Sequence, residues 1–325
     1  MKPVLRRRLP LLATSSLLVA LFVGTGLCYD GFFSVRVVVN LLSDNATLGL
    51  LAAGMTLVIF SGGIDLSVGA LAGLVSILVA TLVEAHHVAP VTAAAIALVG
   101  CGLAGAGMGA LVHHFRQPPF LITLAGLFLF RGCAYWLNTE SVGITHPLFA
   151  RLAGDAFEIA GHGIPIVALV LLAGLAIAWT LGHECRFGRN LLALGGNETS
   201  ALLMGVPLGS TRIWVYALNS MFAGAAGLVG TVYTGSGNPS FGIGLELDAI
   251  AVVVIGGTML TGGRGSVPGT FVGLLIFGTI QSAILFDGRL SPWWARIVVG
   301  GLLLAFILLQ RFLVTRFAGR DGNSA

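Results

Sequence analysis

Long apolar stretches without charged residues recur along the whole of this 325-residue chain, whereas its only lysine is Lys2. A helix needs about 20 apolar residues to cross the hydrocarbon core of a bilayer, and roughly nine stretches are long and apolar enough to do so. The chain is therefore predicted to be an integral membrane protein. A P-loop nucleotide hydrolase needs a lysine behind its phosphate-cradling glycines, so any energy that this chain uses must come from another protein.

The composition agrees with a membrane location and argues against nucleic-acid binding. Charged residues make up 9% of the chain and hydrophobic residues 56%, whereas soluble domains contain about 25% charged residues. The formal net charge is +4, but the arginines adjoin apolar stretches instead of forming one patch, which is typical of membrane orientation signals. The 47 glycines suit helices that pack closely in lipid.

The hydropathy pattern predicts an all-α fold, a polytopic transmembrane helical bundle of about ten spans. Residues 1–325 are predicted to form a single transmembrane domain. Twelve basic residues fall on one side of this arrangement and four on the other. Because basic residues concentrate in cytoplasmic loops, both termini are predicted to be cytoplasmic. The predicted spans cover residues 9–28, 46–61, 67–84, 92–114, 119–138, 163–182, 212–234, 247–261, 267–286 and 293–311.

Two of the predicted spans, 46–61 and 247–261, are short and run into paired glycines. A shift of 200 positions aligns the first glycine pair with the second, which indicates an internal repeat whose two copies run in the same direction. Short, glycine-interrupted spans at corresponding positions are typical of discontinuous helices around a transport pathway. The candidate pathway residues are Gly62, Gly63, Asp65, Ser67, Asn219, Gly262 and Gly263.

Asp65 and Ser67 precede the next predicted span, where a side-chain oxygen can accept a hydrogen bond from a free backbone N–H of the helix start. This position admits two interpretations. In the first, Asp65 caps a helix that borders the pathway. In the second, it caps a tight cytoplasmic hairpin that has no contact with substrate.

The sequence contains no motif that predicts catalysis or metal binding. The HExxH, GxSxG and strand-associated GxGxxG patterns are absent, and the four cysteines lack metal-ligand spacing. No cofactor is expected. Arg131 lies inside a predicted span, where an arginine either pairs with a carbonyl or carboxylate or takes part in a pathway. Glu246 and Asp248 begin the eighth predicted span. Their negative charges interact favourably with the partial positive charge at the N-terminal end of its helix.

The most informative segment outside the spans covers residues 186–206, which the topology places in the cytoplasm. It is basic at its start and contains a short helix-like stretch from about Thr199 to Met204, bracketed by glycines. A brief amphipathic helix between two spans can dock in the groove of a partner through a few apolar side chains. The alternative is an ordinary ordered loop.

At this segment the chain resembles the inner-membrane permease subunits of ABC importers for monosaccharides, the ribose and galactose type, over nearly its full length. The resemblance is carried by residues 61–69, 120–126 with Arg131-Gly132, 186–205 and 247–269. Within that family, residues 286–294 are most similar to a galactofuranose permease.

The resemblance implies a permease without catalytic activity, in the bacterial inner membrane. It implies that a separate ATP-binding subunit hydrolyses ATP and contacts the cytoplasmic loop 183–211. It also implies a second permease subunit, identical or different, a periplasmic sugar-binding protein and a monosaccharide substrate. An ion-coupled secondary sugar carrier is the alternative, but carboxylates within the spans, which proton coupling needs, are scarce. The coupling residues implied are Ala193, Gly195, Gly196, Asn197, Ala201 and Gly205.

Overall fold

The computed structural model describes residues 3–154, 156–159, 162–291 and 293–321, so Lys2 lies outside the described residues. Most of these residues are helical. The helices are α1 (Pro3–Cys28), α2 (Val35–Asp44), α3 (Ala46–Phe60), α4 (Val68–Glu84), α5 (Pro90–His114), α6 (Pro119–Leu137), α7 (Pro147–Gly154), α8 (Ile166–Trp179, followed by a π-helical turn, Thr180–Glu184), α9 (Arg186–Gly196), α10 (Glu198–Leu203), α11 (Leu208–Thr234), α12 (Leu245–Ile255), α13 (Val267–Asp287) and α14 (Trp293–Asp321). The short strands are β1 (Val142–Gly143), β2 (Ala156–Ile159), β3 (His162–Pro165) and β4 (Ser236–Gly237).

Every predicted span coincides, at least in part, with one of these helices. Within the described residues, six helical segments are long and apolar enough to cross a bilayer, and the pair α2 and α3, bent by 59°, would form a seventh. α4 and the Trp293–Leu308 part of α14 are shorter apolar helices. The prediction of a polytopic helical membrane protein is therefore confirmed, whereas the count of ten spans stays a prediction.

The predicted span 247–261 is helical only over α12, which ends at Ile255. The helix ends here because Gly257 has a φ of +89°, in the left-handed region that commonly terminates helices. Gly256 lies so close to α13 that a Cβ atom on it would collide with the carbonyl oxygen of Gly269. Residues 256–266 therefore form an irregular loop, longer than the one that follows α3.

Besides α10, three helices lie outside the predicted spans: α2, α7 and α9. α2 begins at Ser34, whose hydroxyl accepts a hydrogen bond from Val37 N at 3.3 Å, and it buries Val37 and Leu41. Its many β-branched residues favour strands, so local sequence gives little signal for it. α9 contains three glycines in 11 residues, and each interior glycine costs a helix about 1 kcal/mol relative to alanine.

α3 forms the centre of the bundle. All of its residues except Thr47 are buried, because its sequence is apolar on every side. It packs against α8, α11, α12 and α13. Gly54 lets α11 approach closely, since a Cβ atom on this glycine would lie 2.5 Å from Asn219 Oδ1. α3, which corresponds to the short span of the first repeat copy, is thus the most completely buried helix among the described residues.

The loops separate into two groups at opposite ends of the bundle. Residues 61–67, 185–207 and 256–266 form the inner end, which the topology predicts to be cytoplasmic. The outer end carries the antiparallel pair β1 and β4 and the β2–β3 hairpin. There the carboxylate of Glu84 accepts hydrogen bonds from Thr145 N at 2.7 Å and Thr145 Oγ1 at 2.8 Å. This distribution matches the predicted alternation of loops across the membrane.

Candidate functional site

Glycines from three segments meet at the inner end. Gly62, Gly262 and Gly263 have φ values of +78°, +80° and +73°, a conformation that glycine adopts without the steric cost of a side chain. Gly263 N donates a hydrogen bond to the Phe60 carbonyl oxygen at 3.0 Å. The two loops that the 200-residue shift relates are therefore in direct contact. We call the following set the glycine junction: Gly62, Gly63, Gly195, Gly196, Gly262 and Gly263.

Gly195 places α9, which lies within the predicted coupling loop 183–211, at this junction. A Cβ atom at Gly195 would overlap the Phe60 carbonyl oxygen and would lie 2.6 Å from Gly263 N and 3.0 Å from Gly62 N. All three neighbours are backbone atoms. Gly62 and Gly263 belong to residues 61–67 and 256–266, which we call the first and second pathway loops, and Phe60 is the last residue of α3. The adjacent Gly196 is much less crowded, since its nearest neighbour would be the Gly263 Cα atom at 4.0 Å. Gly195 is thus the point at which α9 presses on both loops.

Asp65, Ser67 and Asn219 form one buried hydrogen-bond network. Asp65 Oδ1 accepts from Ser67 N at 2.9 Å and from Ser67 Oγ at 2.6 Å, while Asp65 Oδ2 accepts from Asn219 Nδ2 at 2.8 Å. All three residues are fully buried. Ser67 is the N-cap residue of α4, but its side chain makes no capping hydrogen bond. Asp65 therefore supplies the oxygen that accepts from the backbone, and it ties the start of α4 to α11.

One face of α11 carries three buried side-chain oxygens that have no hydrogen-bond partner within the described residues: Tyr216 OH, Asn219 Oδ1 and Ser220 Oγ. These residues are spaced i, i+3 and i+4, so they share a face of the helix, and each is at most 1% exposed. Each oxygen faces a glycine of a neighbouring segment. The facing glycines are Gly63, Gly54 and Gly105, in that order.

The coupling candidates lie on α9 and α10 and at the end of α10. Asn197 is the N-cap residue of α10, and its side chain accepts a hydrogen bond from Ser200 N at 2.8 Å. At the other end, Gly205 has a φ of +78° and Val206 N donates to the Ala201 carbonyl oxygen at 3.0 Å. These capping contacts stabilise both ends of the six-residue helix. The predicted helix-like stretch 199–204 corresponds to α10, which begins and ends one residue earlier, at Glu198 and Leu203.

α10 has one buried and one exposed apolar surface. Ala201 is fully buried and packs with Leu194 and Leu208. On the other side lies the α10 surface patch, which we define as Leu202, Leu203 and Met204, exposed by 60%, 84% and 71%. The packing of Ala201 attaches α10 to the bundle. The apolar side chains of the α10 surface patch remain accessible to a partner.

Two polar contacts attach this segment to the bundle. Arg212 Nη2, near the start of α11, forms an ion pair with Glu198 Oε2 at 2.5 Å. His183 Nε2 accepts a hydrogen bond from Val267 N at 3.2 Å, which satisfies a free N–H at the start of α13. The π-helical turn that contains His183 therefore links the region before α9 to the start of α13. The Arg212–Glu198 ion pair links α10 to α11.

Arg131 pairs with carbonyl oxygens, the structural one of its two predicted alternatives. Its Nη1 atom donates to the carbonyl oxygens of Pro239 at 2.5 Å and Phe241 at 2.8 Å. Glu246 Oε1 accepts from Gly244 N, the N-cap residue of α12, at 3.3 Å, which agrees with its predicted position at the helix start. These residues lie towards the outer end, away from the glycine junction.

The inner-end site consists of backbone groups in contact, small residues and one buried carboxylate. Close-packed backbone atoms cannot yield like a flexible side chain. Gly195 is therefore a close contact between α9 and the segments that follow α3 and α12. Within the described residues, no three histidine, cysteine, aspartate or glutamate side chains are placed to hold a metal ion.

Sequence reasoning did not single out Tyr216, Arg212, Glu198 or His183 as functional. Tyr216 carried a usable signal, since it stands at helical spacing from Asn219 and Ser220 within an apolar span. For Arg212 and His183 the only sequence signal is a position near the membrane boundary. Their partners are 14 and 84 residues away, so no local pattern marks these contacts.

Comparison with known proteins adds a family to this geometry. Residues 37–307 match the model of a family described as "Branched-chain amino acid transport system / permease component". The chain is 44% identical over 322 residues to the inner membrane ABC transporter permease protein YjfF of Escherichia coli (strain K12), covering 98% of this chain and 97% of that protein. It is 37% identical to the ribose import permease protein RbsC of Bacillus subtilis (strain 168), covering 84% of each. It is 32% identical to the fructose import permease protein FruG of Bifidobacterium longum (strain NCC 2705), covering 94% and 92%.

Proposed function

We propose, since this chain belongs to the family of branched-chain amino acid transport system permease components, that it is the permease subunit of an ATP-driven monosaccharide importer. Relatives named as inner membrane ABC permease, ribose import permease and fructose import permease match it over most of its length. The predictions of a non-catalytic subunit and of a multi-pass inner-membrane protein are confirmed. An ion-coupled carrier is not favoured, because these relatives are named as permeases of ABC or import systems.

The observation that carries the proposal is the contact of the coupling segment with both pathway loops. Gly195 touches the backbone of Phe60, Gly62 and Gly263, while α10, a few residues further on, displays the exposed α10 surface patch. A partner that grips the patch is thus joined by rigid backbone to the two breaks between spans. We propose that the loop 183–211, within a single permease domain of 1–325, is the coupling loop in this sense.

In the proposed mechanism the ATP-binding subunit supplies the work. A ligand or partner shifts a conformational equilibrium by as much as its affinity differs between the two states. ATP-driven closure of the partner changes which position of α10 it binds best, and the glycine junction carries that shift to the loops after α3 and α12. The pathway residues proposed are Gly62, Gly63, Asp65, Ser67, Asn219, Gly262 and Gly263.

The family implies an ATP-binding subunit and a substrate-binding protein as partners, the latter proposed to be a periplasmic sugar-binding protein. A second permease subunit, a copy of this chain or a related one, is part of the proposal. The coupling residues proposed are Ala193, Gly195, Gly196, Asn197, Ala201 and Gly205.

Leu203→Asp is expected to lower the amount of ATP-binding subunit that co-purifies with the permease at least tenfold. Leu203 is 84% exposed, so the change should alter the free energy of unfolding by no more than about 0.5 kcal/mol. A carboxylate at this position would be buried without a partner on docking, and burial of an unpaired charge costs several kcal/mol, so the substitution disrupts docking. Quantitative mass spectrometry of the purified complex measures the loss.

Gln117→Asp is the matched control for Leu203→Asp. Gln117 is also exposed, and it lies in the loop between α5 and α6, on the predicted cytoplasmic side. The substitution therefore adds the same negative charge as Leu203→Asp at a different place on that side. It should leave co-purification unchanged. Equal amounts of ATP-binding subunit on wild-type and Leu203→Asp permease would exclude the α10 surface patch as the docking site.

We further propose that the sugar is galactofuranose. The support is the similarity of residues 286–294 to a galactofuranose permease, together with relatives named for ribose and fructose, sugars that also form five-membered rings. Methyl galactofuranoside and methyl galactopyranoside differ only in ring form and make a sharp test. As competitors of labelled galactose uptake in cells, the furanoside is expected to inhibit at concentrations at least tenfold lower. Equal inhibition, or stronger inhibition by the pyranoside, would overturn this choice of sugar.

A further inference from the structure

An apolar groove of about 260 Å³ runs between α8 and α13 in the inner half of the bundle. α8 contributes Leu175, Ala176 and Trp179 to its lining, and α13 contributes Val267 and Phe271. All of its lining residues are apolar. Both helices belong to segments long and apolar enough to cross a bilayer, so the groove lies at the depth of the acyl chains. We call it the α8–α13 groove.

In the outer half of the bundle, protein fills the space between the same two helices. α2 packs against both α8 and α13, and a Cβ atom on Gly278 of α13 would lie 3.0 Å from the side chain of Leu41 on α2. In the inner half, the described residues leave Ala176, Trp179 and Pro268 exposed. The apolar group that a bilayer supplies at this depth is an acyl chain, which could cover the inner half as α2 covers the outer half.

Trp179 lies at the inner end of the groove and is 44% exposed. Tryptophan is enriched at the level of the lipid headgroups, so the groove ends near the headgroups of the predicted cytoplasmic leaflet. The π-helical turn follows Trp179, and α9 begins directly after it, at Arg186. The groove therefore opens towards the first residues of the coupling loop.

Three exposed arginines lie next to the inner end of the groove in the chain. Arg186 and Arg189 belong to the first turn of α9, and Arg264 lies shortly before Val267. Within the described part of the chain, Arg186 and Arg264 form no ion pair. Arg189 Nη1 donates to the carbonyl oxygen of Glu184 at 3.4 Å. The charge here is predominantly positive, and it is free to meet an anion.

Two contacts hold the start of α9 beside the groove. His183 Nε2 accepts a hydrogen bond at 3.2 Å from the backbone N of Val267, a lining residue. Gly188 of α9 lies so close to the π-helical turn that a Cβ atom on it would overlap the carbonyl oxygen of Gly182. Basic residues at the cytoplasmic end of a space between transmembrane helices are typical of sites for anionic lipid headgroups.

We propose that the α8–α13 groove binds one acyl chain of an anionic glycerophospholipid from the cytoplasmic leaflet, with its phosphate next to Arg186, Arg189 and Arg264. Such a lipid contacts the start of the coupling loop and the start of α13 together. It therefore stabilises the conformation in which these two segments are adjacent. The inference goes beyond the proposed function, since it needs the membrane location of the chain and not the identity of the transported solute.

The test uses the whole transporter complex in nanodiscs of phosphatidylcholine with a minor fraction of phosphatidylglycerol. Bromine atoms, which quench tryptophan fluorescence on contact, are placed on the acyl chains of the phosphatidylglycerol or of an equal amount of the phosphatidylcholine. The Trp179 signal is the difference between the complex and its Trp179→Phe variant. Brominated phosphatidylglycerol is expected to quench a fraction of this signal about fivefold larger or more, and high salt should reduce the difference.

Two changes test the two parts of the site, each measured against the same variant with Trp179→Phe. Ala176→Phe fills the groove, and Arg186→Gln combined with Arg189→Gln removes two of the positive charges. Each should lower quenching by phosphatidylglycerol to the level of phosphatidylcholine. All three residues are exposed, so the variants should fold.

Each change has a matched control that should keep the wild-type preference. Ala173→Phe adds the same ring to α8 at an exposed position outside the lining of the groove. Arg116→Gln removes the charge of an exposed arginine from the loop between α5 and α6, also on the predicted cytoplasmic side.

Three results would overturn the inference. Equal quenching of Trp179 by the two brominated lipids would mean that the groove meets lipid without selectivity. Absence of quenching by either lipid would mean that a second permease subunit or another protein covers the groove. A preference for phosphatidylglycerol that survives both Ala176→Phe and the double arginine change would place the lipid elsewhere. These results are independent of sugar import, so the proposed function stands or fails separately.

Discussion

Gly195→Ala is expected to lower sugar uptake by about tenfold while the complex continues to bind and hydrolyse ATP. The added methyl group would overlap the Phe60 carbonyl oxygen and approach Gly263 N to 2.6 Å. Backbone atoms cannot turn aside as the end of a side chain can, and overpacking of this kind typically costs about 1–3 kcal/mol. The strain falls on the contact between α9 and the two pathway loops, so the substitution should weaken the coupling of ATP hydrolysis to transport. The α10 surface patch is unchanged, so the ATP-binding subunit should still bind.

The measurement is the number of sugar molecules imported per ATP hydrolysed in reconstituted liposomes. Gly107→Ala is the matched control, because Gly107 lies within α5 and a Cβ atom there would meet nothing within 4 Å, so the ratio should stay near the wild-type value. If both variants transport with wild-type efficiency, the glycine junction does not carry the movement of α10, and the mechanism proposed above is wrong.

Asp65→Ala is expected to lower the free energy of unfolding by about 3–5 kcal/mol, with a corresponding loss of folded permease. The change leaves the Ser67 amide, the Ser67 hydroxyl and the Asn219 amide without their acceptor in a fully buried place. Unfolding followed in detergent measures the effect. Asp44→Ala is the control, since Asp44 is exposed and accepts one hydrogen bond, from Tyr233, at the outer end.

Asp65→Asn distinguishes the two interpretations of Asp65. It keeps the shape of the side chain, but its amide group would face a hydrogen-bond donor, so stability should fall less than for Asp65→Ala. A helix cap on the pathway predicts lower uptake per folded molecule; a hairpin with no substrate contact predicts unchanged uptake per folded molecule. An Asp65→Ala permease with wild-type stability would contradict the role of the network in either case.

Much of the fold could be predicted because its signals are local. Apolar runs of membrane length identified the positions of the helices, and the alternation of basic loops gave the two ends. The glycine pairs were recognisable because glycine ends helices and permits left-handed φ values, and Gly62, Gly262 and Gly263 adopt such values. A capping role could likewise be assigned to Asp65 from its place before α4.

The rest depends on contacts between distant parts of the chain. The meeting of Gly195 with Gly62 and Gly263 joins residues that are far apart in sequence, and no periodicity records it. α9 and α2 were missed for a related reason, since tertiary packing outweighs their weak helix propensity. Gly188, for example, lies so close to Gly182 that a Cβ atom would collide with it, and only the folded structure shows that this glycine serves packing.

The central claim is that this chain is a conduit moved by a separate ATP-hydrolysing subunit. The most direct test is uptake of labelled galactose, ribose and fructose into liposomes that contain both permease subunits with or without the ATP-binding subunit. The sugar-binding protein is added outside, and ATP or a non-hydrolysable analogue is inside. Uptake is expected only with the subunit and hydrolysable ATP, and it should persist when a protonophore is added. Uptake by the permease without the subunit, or uptake abolished by the protonophore while ATP is present, would contradict the account.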